Sequence, residues 1–166
     1  MTRSDPFEVP NQSPPFADVD LFGLDRPLQE AVAANGAADD AATLGVFGRH
    51  WGSTAMFERA RTANEYPPRL KSFDAQGRRS DTVEFHPAYH AFMDESMREG
   101  LHVSTWRPDG AHRRAPAEVG RAARFYMVAQ VENGHQCPII MNARFRCGSC
   151  GDLHRGARQE WWIACG

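Results

Sequence analysis

Lysine is almost missing from this sequence: among its 19 lysine and arginine residues, Lys71 is the single lysine. Such arginine bias marks a GC-rich coding sequence rather than a binding site. With a formal net charge of −2, it also excludes a domain-wide basic field for nucleic acid. Missing too is any apolar run of about 18 residues, so no transmembrane helix is expected. The first residues, MTRSDPFEVPNQSPPFADVD, lack the apolar stretch of a secretory signal, and the expected location is the cytoplasm. Cysteine is absent before Cys137, and Cys147, Cys150 and Cys165 crowd the end of the chain, whereas a disulfide scaffold would spread its cysteines.

What is present suits one domain with one core: 166 residues, of which 42% are hydrophobic. Residues 1–24 read as an extended arm, because Pro6, Pro10, Pro14 and Pro15 deny it regular helix. Phe7, Val9, Phe16, Leu21 and Phe22 make the arm apolar enough to lie on a surface, either on its own domain or on another subunit. Asp25 N-caps a first helix that Gly36 stops. A second segment runs from about Asp39 to His50, with Leu44, Phe47 and Trp51 on one face. Gly45, Gly48 and Gly52 weaken that segment as a helix but admit a neighbouring backbone. A third helix starts at Ser53 and ends before Pro67 and Pro68. LKSF and RRSDTVEF then flank a DAQG turn, the outline of a hairpin whose flanks do not alternate cleanly.

His86-Pro87 opens the clearest helix, with proline at its favoured first position and Gly100 at its end. Its inward positions are Tyr89, Phe92, Met93, Ser96, Met97 and Leu101, and Asp94 with Arg98 forms an i, i+4 pair on the polar side. The next helix is expected from about Pro116 to Asn133. Val119, Ala122, Ala123, Tyr126 and Ala129 are its apolar face, widened by Phe125, Val128 and Val131, and Glu118, Arg121 and Arg124 mark its wetter side. CPIIM at 137–141 begins another helical pattern. The fold class is therefore all-α: a bundle of about five helices with an extended arm at 1–24, a helical domain at 25–141, a short hairpin and an irregular tail at 142–166.

From about Val9 to Met141 the chain resembles a known domain. The residues that carry the likeness are NQ at 11–12, RTANEYPPRL at 61–70, FDAQGRR at 73–79, FHPAYH at 85–90, ARF at 123–125, AQVENG at 129–134 and CPIIM at 137–141, in order. They resemble the N-terminal domain of the AidB-type adaptive-response proteins, a branch of the acyl-CoA dehydrogenase superfamily. The resemblance implies a helical domain that precedes a β-domain and a C-terminal helical bundle, with FAD bound between the latter two. It also implies dehydrogenation of an acyl thioester by a glutamate base and flavin, a cofactor chemistry that the protein orients. Protection against DNA alkylation damage and tetrameric assembly come with the same branch. The flavin-contacting turn and the catalytic glutamate of the family would follow Met141, so the resemblance carries no catalytic residue, no FAD ligand and no metal ligand onto this chain. FAD is implied for the full-length family and not for this stretch. The expected partners are the remainder of the flavoprotein or other subunits, and DNA only at the level of the family.

After Met141 the composition changes: NARFRCGSCGDLHRGARQEWWIACG has no amphipathic period and is rich in Cys, Gly, Arg and Trp. One reading is a shifted frame of a GC-rich gene that truncates the family domain. A competing reading is a small zinc-binding module in which Cys147, Cys150, His154 and Cys165 supply four ligands, with Cys137 spare. A third is an irregular natural tail.

Other chemistry-bearing residues are read against plainer roles. His86 and His90 stand at i, i+4, which is metal-ligand spacing, but no third ligand matches it; His86 as a helix cap and His90 bonded to a loop are preferred. His112, Arg113 and Arg114, with Arg121 and Arg124, would make a small basic patch for nucleic acid; solvated loop charge is preferred. Glu95, Glu99 and Glu132 are read as solvated helix carboxylates.

Overall fold

The computed structural model describes residues 12–104 and 115–144. Six α-helices and one hairpin follow in order: α1 (Arg26–Ala34), α2 (Ala41–Trp51), α3 (Thr54–Glu65), β1 (Arg69–Phe73), β2 (Arg79–Glu84), α4 (Pro87–Arg98), α5 (Ala115–Ala129) and α6 (Gln136–Arg144). A short 3-10 turn, Ala38–Asp40, leads into α2. Beside the five helices expected, CPIIM lies in the further one its pattern announced, which starts at Gln136.

The caps sit where the sequence places them. Asp25 accepts from the Leu28 amide at 2.9 Å, and Gly36, at φ +80°, ends the turn after α1. His86 Nδ1 accepts from the Ala88 amide at 3.1 Å, with Pro87 first in α4. Ser53 holds the N-cap position of α3 without a side-chain bond. Asp18 caps that helix from the arm, accepting from the Thr54 amide at 2.8 Å and its hydroxyl at 2.7 Å. The Thr54 amide, followed by its hydroxyl, holds the Asp18 carboxyl below its ordinary value.

From Val19 onward the arm packs on its own domain, while residues 12–16 are exposed. Leu21 and Phe22 are buried, and Val19 packs against the core. The Val19 and Leu21 amides donate to the carbonyls of Gly52 (3.1 Å) and Gly48 (3.4 Å). A Cβ at Gly52 would lie 2.0 Å from the Val19 carbonyl oxygen, and one at Gly48 2.7 Å from the Phe22 amide. These two glycines admit the neighbouring backbone, and that backbone is the arm itself.

α2 packs on α5, α3 on α4 and α1 on α5. The centre holds Trp51, Phe92, Leu44, Met56, Leu101, Met127 and Ile139, all almost fully enclosed. α5 departs from expectation in three ways. It ends at Ala129, because residues 130–135 form a turn organised by Glu132. Of the expected apolar face Ala123 and Val128 are buried and Val119, Phe125 and Val131 pack against the core, joined by Gly120 and Met127, while Tyr126, Ala122 and Ala129 face outward. The wet side also differs: Arg121 and Arg124 are partly buried, with their guanidinium groups over Phe125 (4.8 Å) and Phe47 (5.9 Å). Arginines whose guanidinium groups cover aromatic rings look like solvent markers in a sequence but form part of the wall.

The hairpin forms, antiparallel, with Arg69 opposite Glu84, Leu70 opposite Val83 and Lys71 opposite Thr82. Asp74 Oδ1 closes the turn by accepting from the Gln76 and Arg78 amides, and Gly77 takes φ +78°. The register then breaks between Lys71 and Phe73, where Asp81 adopts φ 49°. This bulge explains the missing alternation: one extra residue shifts the facing of the strand. Leu70, Phe73 and Val83 remain exposed.

Candidate functional site

The most organised polar group in the described residues lies inside the bundle. Glu132, in the α5–α6 turn, accepts from the Gly134 amide (2.7 Å), the His135 amide (3.0 Å) and His135 Nδ1 (2.5 Å). His135 Nε2 lies 2.9 Å from Ser96 Oγ on α4. All three are buried: Ser96 and His135 at 0% exposure, Glu132 at 8%. Burial raises the carboxyl's value, but the hydrogen bonds from His135 and Gly134 outweigh it and hold Glu132 at about 2. Glu132 is thus a carboxylate, which places a proton on His135 Nδ1 and leaves Nε2 facing the Ser96 hydroxyl.

The His135 imidazole is also one ring of an aromatic assembly. It stacks on Phe92 (centroids 5.1 Å, 18°) and Trp51 (6.2 Å, 7°), while Trp51 stacks on Phe92 (5.8 Å) and Phe47 (5.6 Å). Offset packing of this kind adds to the burial of the rings. Beside it, Glu95 on α4 accepts from Arg59 Nη1 of α3 (2.6 Å) and pairs closely with His50 of α2. That carboxylate ties three helices together.

The order hydroxyl, imidazole, carboxylate matches a nucleophile with its base and orienting acid. Ser96 is fully enclosed, so no substrate carbonyl reaches its oxygen. The arrangement is a closed structural link between α4 and the α5–α6 turn.

The structure separates the other sequence candidates. Glu132 and Glu95 are not solvated carboxylates: tertiary partners, Arg59 and His50, hold Glu95, and Gly134 and His135 of its own turn hold Glu132. Glu99 is exposed at the C-cap of α4, as expected. His86 caps α4 and stacks on Tyr66 at 5.0 Å, whereas His90 meets Phe85 and Tyr89 edge-on, so the pair does not converge on a metal. Among the described residues no three His, Cys, Asp or Glu side chains are grouped to hold a metal ion. Arg121 donates to the Leu101 carbonyl (2.6 Å), and Arg124 to the Gly120 carbonyl (3.1 Å) with Asp40 at 3.6 Å, so neither offers a free basic patch. Burial, offset by Glu118, lowers the value of Arg121; burial and then Arg121 lower that of His102. Asp94 and Arg98 line a shallow open depression with Met97 and His102 instead of pairing. His112, Arg113, Arg114, Cys147, Cys150, His154 and Cys165 lie outside the described residues, as do residues 1–11 of the arm; Cys137 is exposed and free.

Sequence reasoning missed the Ser96–His135–Glu132 link. The available signal was Glu132-Asn-Gly-His135, an acid followed at two and three positions by amides it can cap through a glycine turn.

The fold defines a helical domain whose best-organised polar cluster among the described residues is the closed Ser96–His135–Glu132 link. The same fold occurs in Caenorhabditis elegans ACDH-11, solved in complex with C11-CoA: TM-score 0.68 at 19% identity, over 86% of this chain and 24% of that one. The model of the adaptive response protein AidB N-terminal domain matches residues 11–161, and the chain belongs to that family. It is 43% identical over 131 residues to AidB of Escherichia coli (strain K12), whose name places it among acyl-CoA dehydrogenases. That match covers 79% of this chain and 24% of the relative, so the chain spans about a quarter of the protein it resembles.

Proposed function

We propose that this chain serves as the N-terminal helical domain of an FAD-dependent, acyl-CoA dehydrogenase-like protein of the DNA alkylation response, in the cytoplasm. Its work there is packing and assembly, against the remainder of the flavoprotein or other subunits, and not catalysis by itself. The observation that carries this reading is the apolar surface left open by a well-filled core. Leu70, Phe73 and Val83 on the ribbon and Ile140 and Met141 on α6 are each between 44% and 65% exposed. A two-stranded ribbon is marginal in water without a surface to lie on, and exposed apolar surface favours association.

The described residues do not fit FAD. The depression at Asp94, Met97, Arg98 and His102 is open and does not enclose a flavin ring, and the Ser96–His135–Glu132 link is closed.

The test is sedimentation of the purified chain with its absorbance spectrum. Self-association without a flavin band is the expected result; a monodisperse monomer overturns the assembly reading, and a stoichiometric flavin band overturns the division of labour. Stoichiometric zinc in the same sample would favour the alternative, a small zinc-binding or nucleic-acid-contacting module built on Cys147, Cys150, His154 and Cys165.

A further inference from the structure

We draw no further inference here: the strongest candidate, the bulged two-stranded ribbon β1–β2 with Leu70, Phe73 and Val83 exposed, belongs to the assembly surface already proposed, and nothing in the structure shows which molecule covers it.

Discussion

Ser96 and His135 stand 39 residues apart in the chain and 2.9 Å apart in space, and their hydrogen bond pins α4 to the turn that launches α6. Ser96→Ala leaves His135 Nε2 buried without a partner, a loss of about 1–3 kcal/mol in folding stability. His135→Ala costs more, about 3–5 kcal/mol, because it opens a void beside Trp51 and Phe92 and strips Glu132 of its Nδ1 donor. Urea midpoints of the two variants check this; a His135→Ala protein as stable as the parent would show that the link carries no load.

Glu132 sets an acid limit on the fold. Its carboxyl ordinarily titrates at 4.5 and stands at about 2 in the folded chain, so the unfolded chain binds the proton first on acidification. The contribution is fully present above about pH 5 and is lost as pH falls through 4.5 toward 2, with an upper bound of about 3 kcal/mol. Glu132→Gln removes that contribution and flattens the acid limb of stability against pH. Urea unfolding from pH 6 to pH 3 compares the two proteins; parallel curves would mean that Glu132 is not held low in the folded state.

Local chemistry made the helix ends readable. Asp25, Gly36 and His86-Pro87 act through neighbours in the chain, and each appears where its residue type requires. The inner stripe of α5 was readable in part: Ala123 and Val128 are buried as expected, but Arg121 and Arg124 lay their guanidinium groups over Phe125 and Phe47 and so invert the usual meaning of charge. Glu95 and Glu132 were misread for a related reason. Glu95 finds its partners only after α2, α3 and α4 have met, whereas Glu132 is held by the Gly134 and His135 amides of its own turn and is buried only when that turn packs against α4. The hairpin's irregular pattern was present in the sequence, but the bulge that produces it depends on Asp81 adopting positive φ.

The glycines of α2 should respond in opposite directions. At Gly52 an added methyl meets the Val19 carbonyl oxygen at 2.0 Å, and backbone on both sides prevents relief. Gly52→Ala should displace the arm and cost about 3 kcal/mol or more, as overpacking against fixed atoms does. At Gly45 the nearest atom is the mobile end of Arg49, at 3.4 Å. Gly45→Ala should gain about 0.5–1 kcal/mol from helix propensity alone. Thermal unfolding of both variants, with limited proteolysis of the arm, separates them; equal effects would remove the arm's backbone from the explanation.

Glu95 is a junction, so its loss should exceed that of either partner. Arg59→Met keeps the apolar stem and removes one charge, at about 1 kcal/mol for a partly buried pair. Glu95→Ala leaves Arg59 and His50 without their shared acceptor, at about 2 kcal/mol. A double-mutant cycle gives the coupling directly, and the effects should fall short of additivity because the two residues share one contact. Strict additivity would show that the Arg59–Glu95 contact contributes nothing.

The ribbon should govern association while leaving folding nearly untouched. Leu70, Phe73 and Val83 are each more than half exposed, so Leu70→Ser, Phe73→Ser and Val83→Thr remove little buried surface from the monomer. Each should change folding stability by no more than about 0.5 kcal/mol. Leu70 and Val83 face each other across the strands, so their replacement empties one apolar patch, while Phe73, opposite Arg79, lies beyond the bulge. If the ribbon is the surface through which the domain assembles, the triple variant sediments as a monomer at concentrations where the parent chain associates, with an unchanged urea midpoint. Persistence of the parent's association would move the assembly surface away from the ribbon and leave α6, with exposed Ile140 and Met141, as the face to alter next.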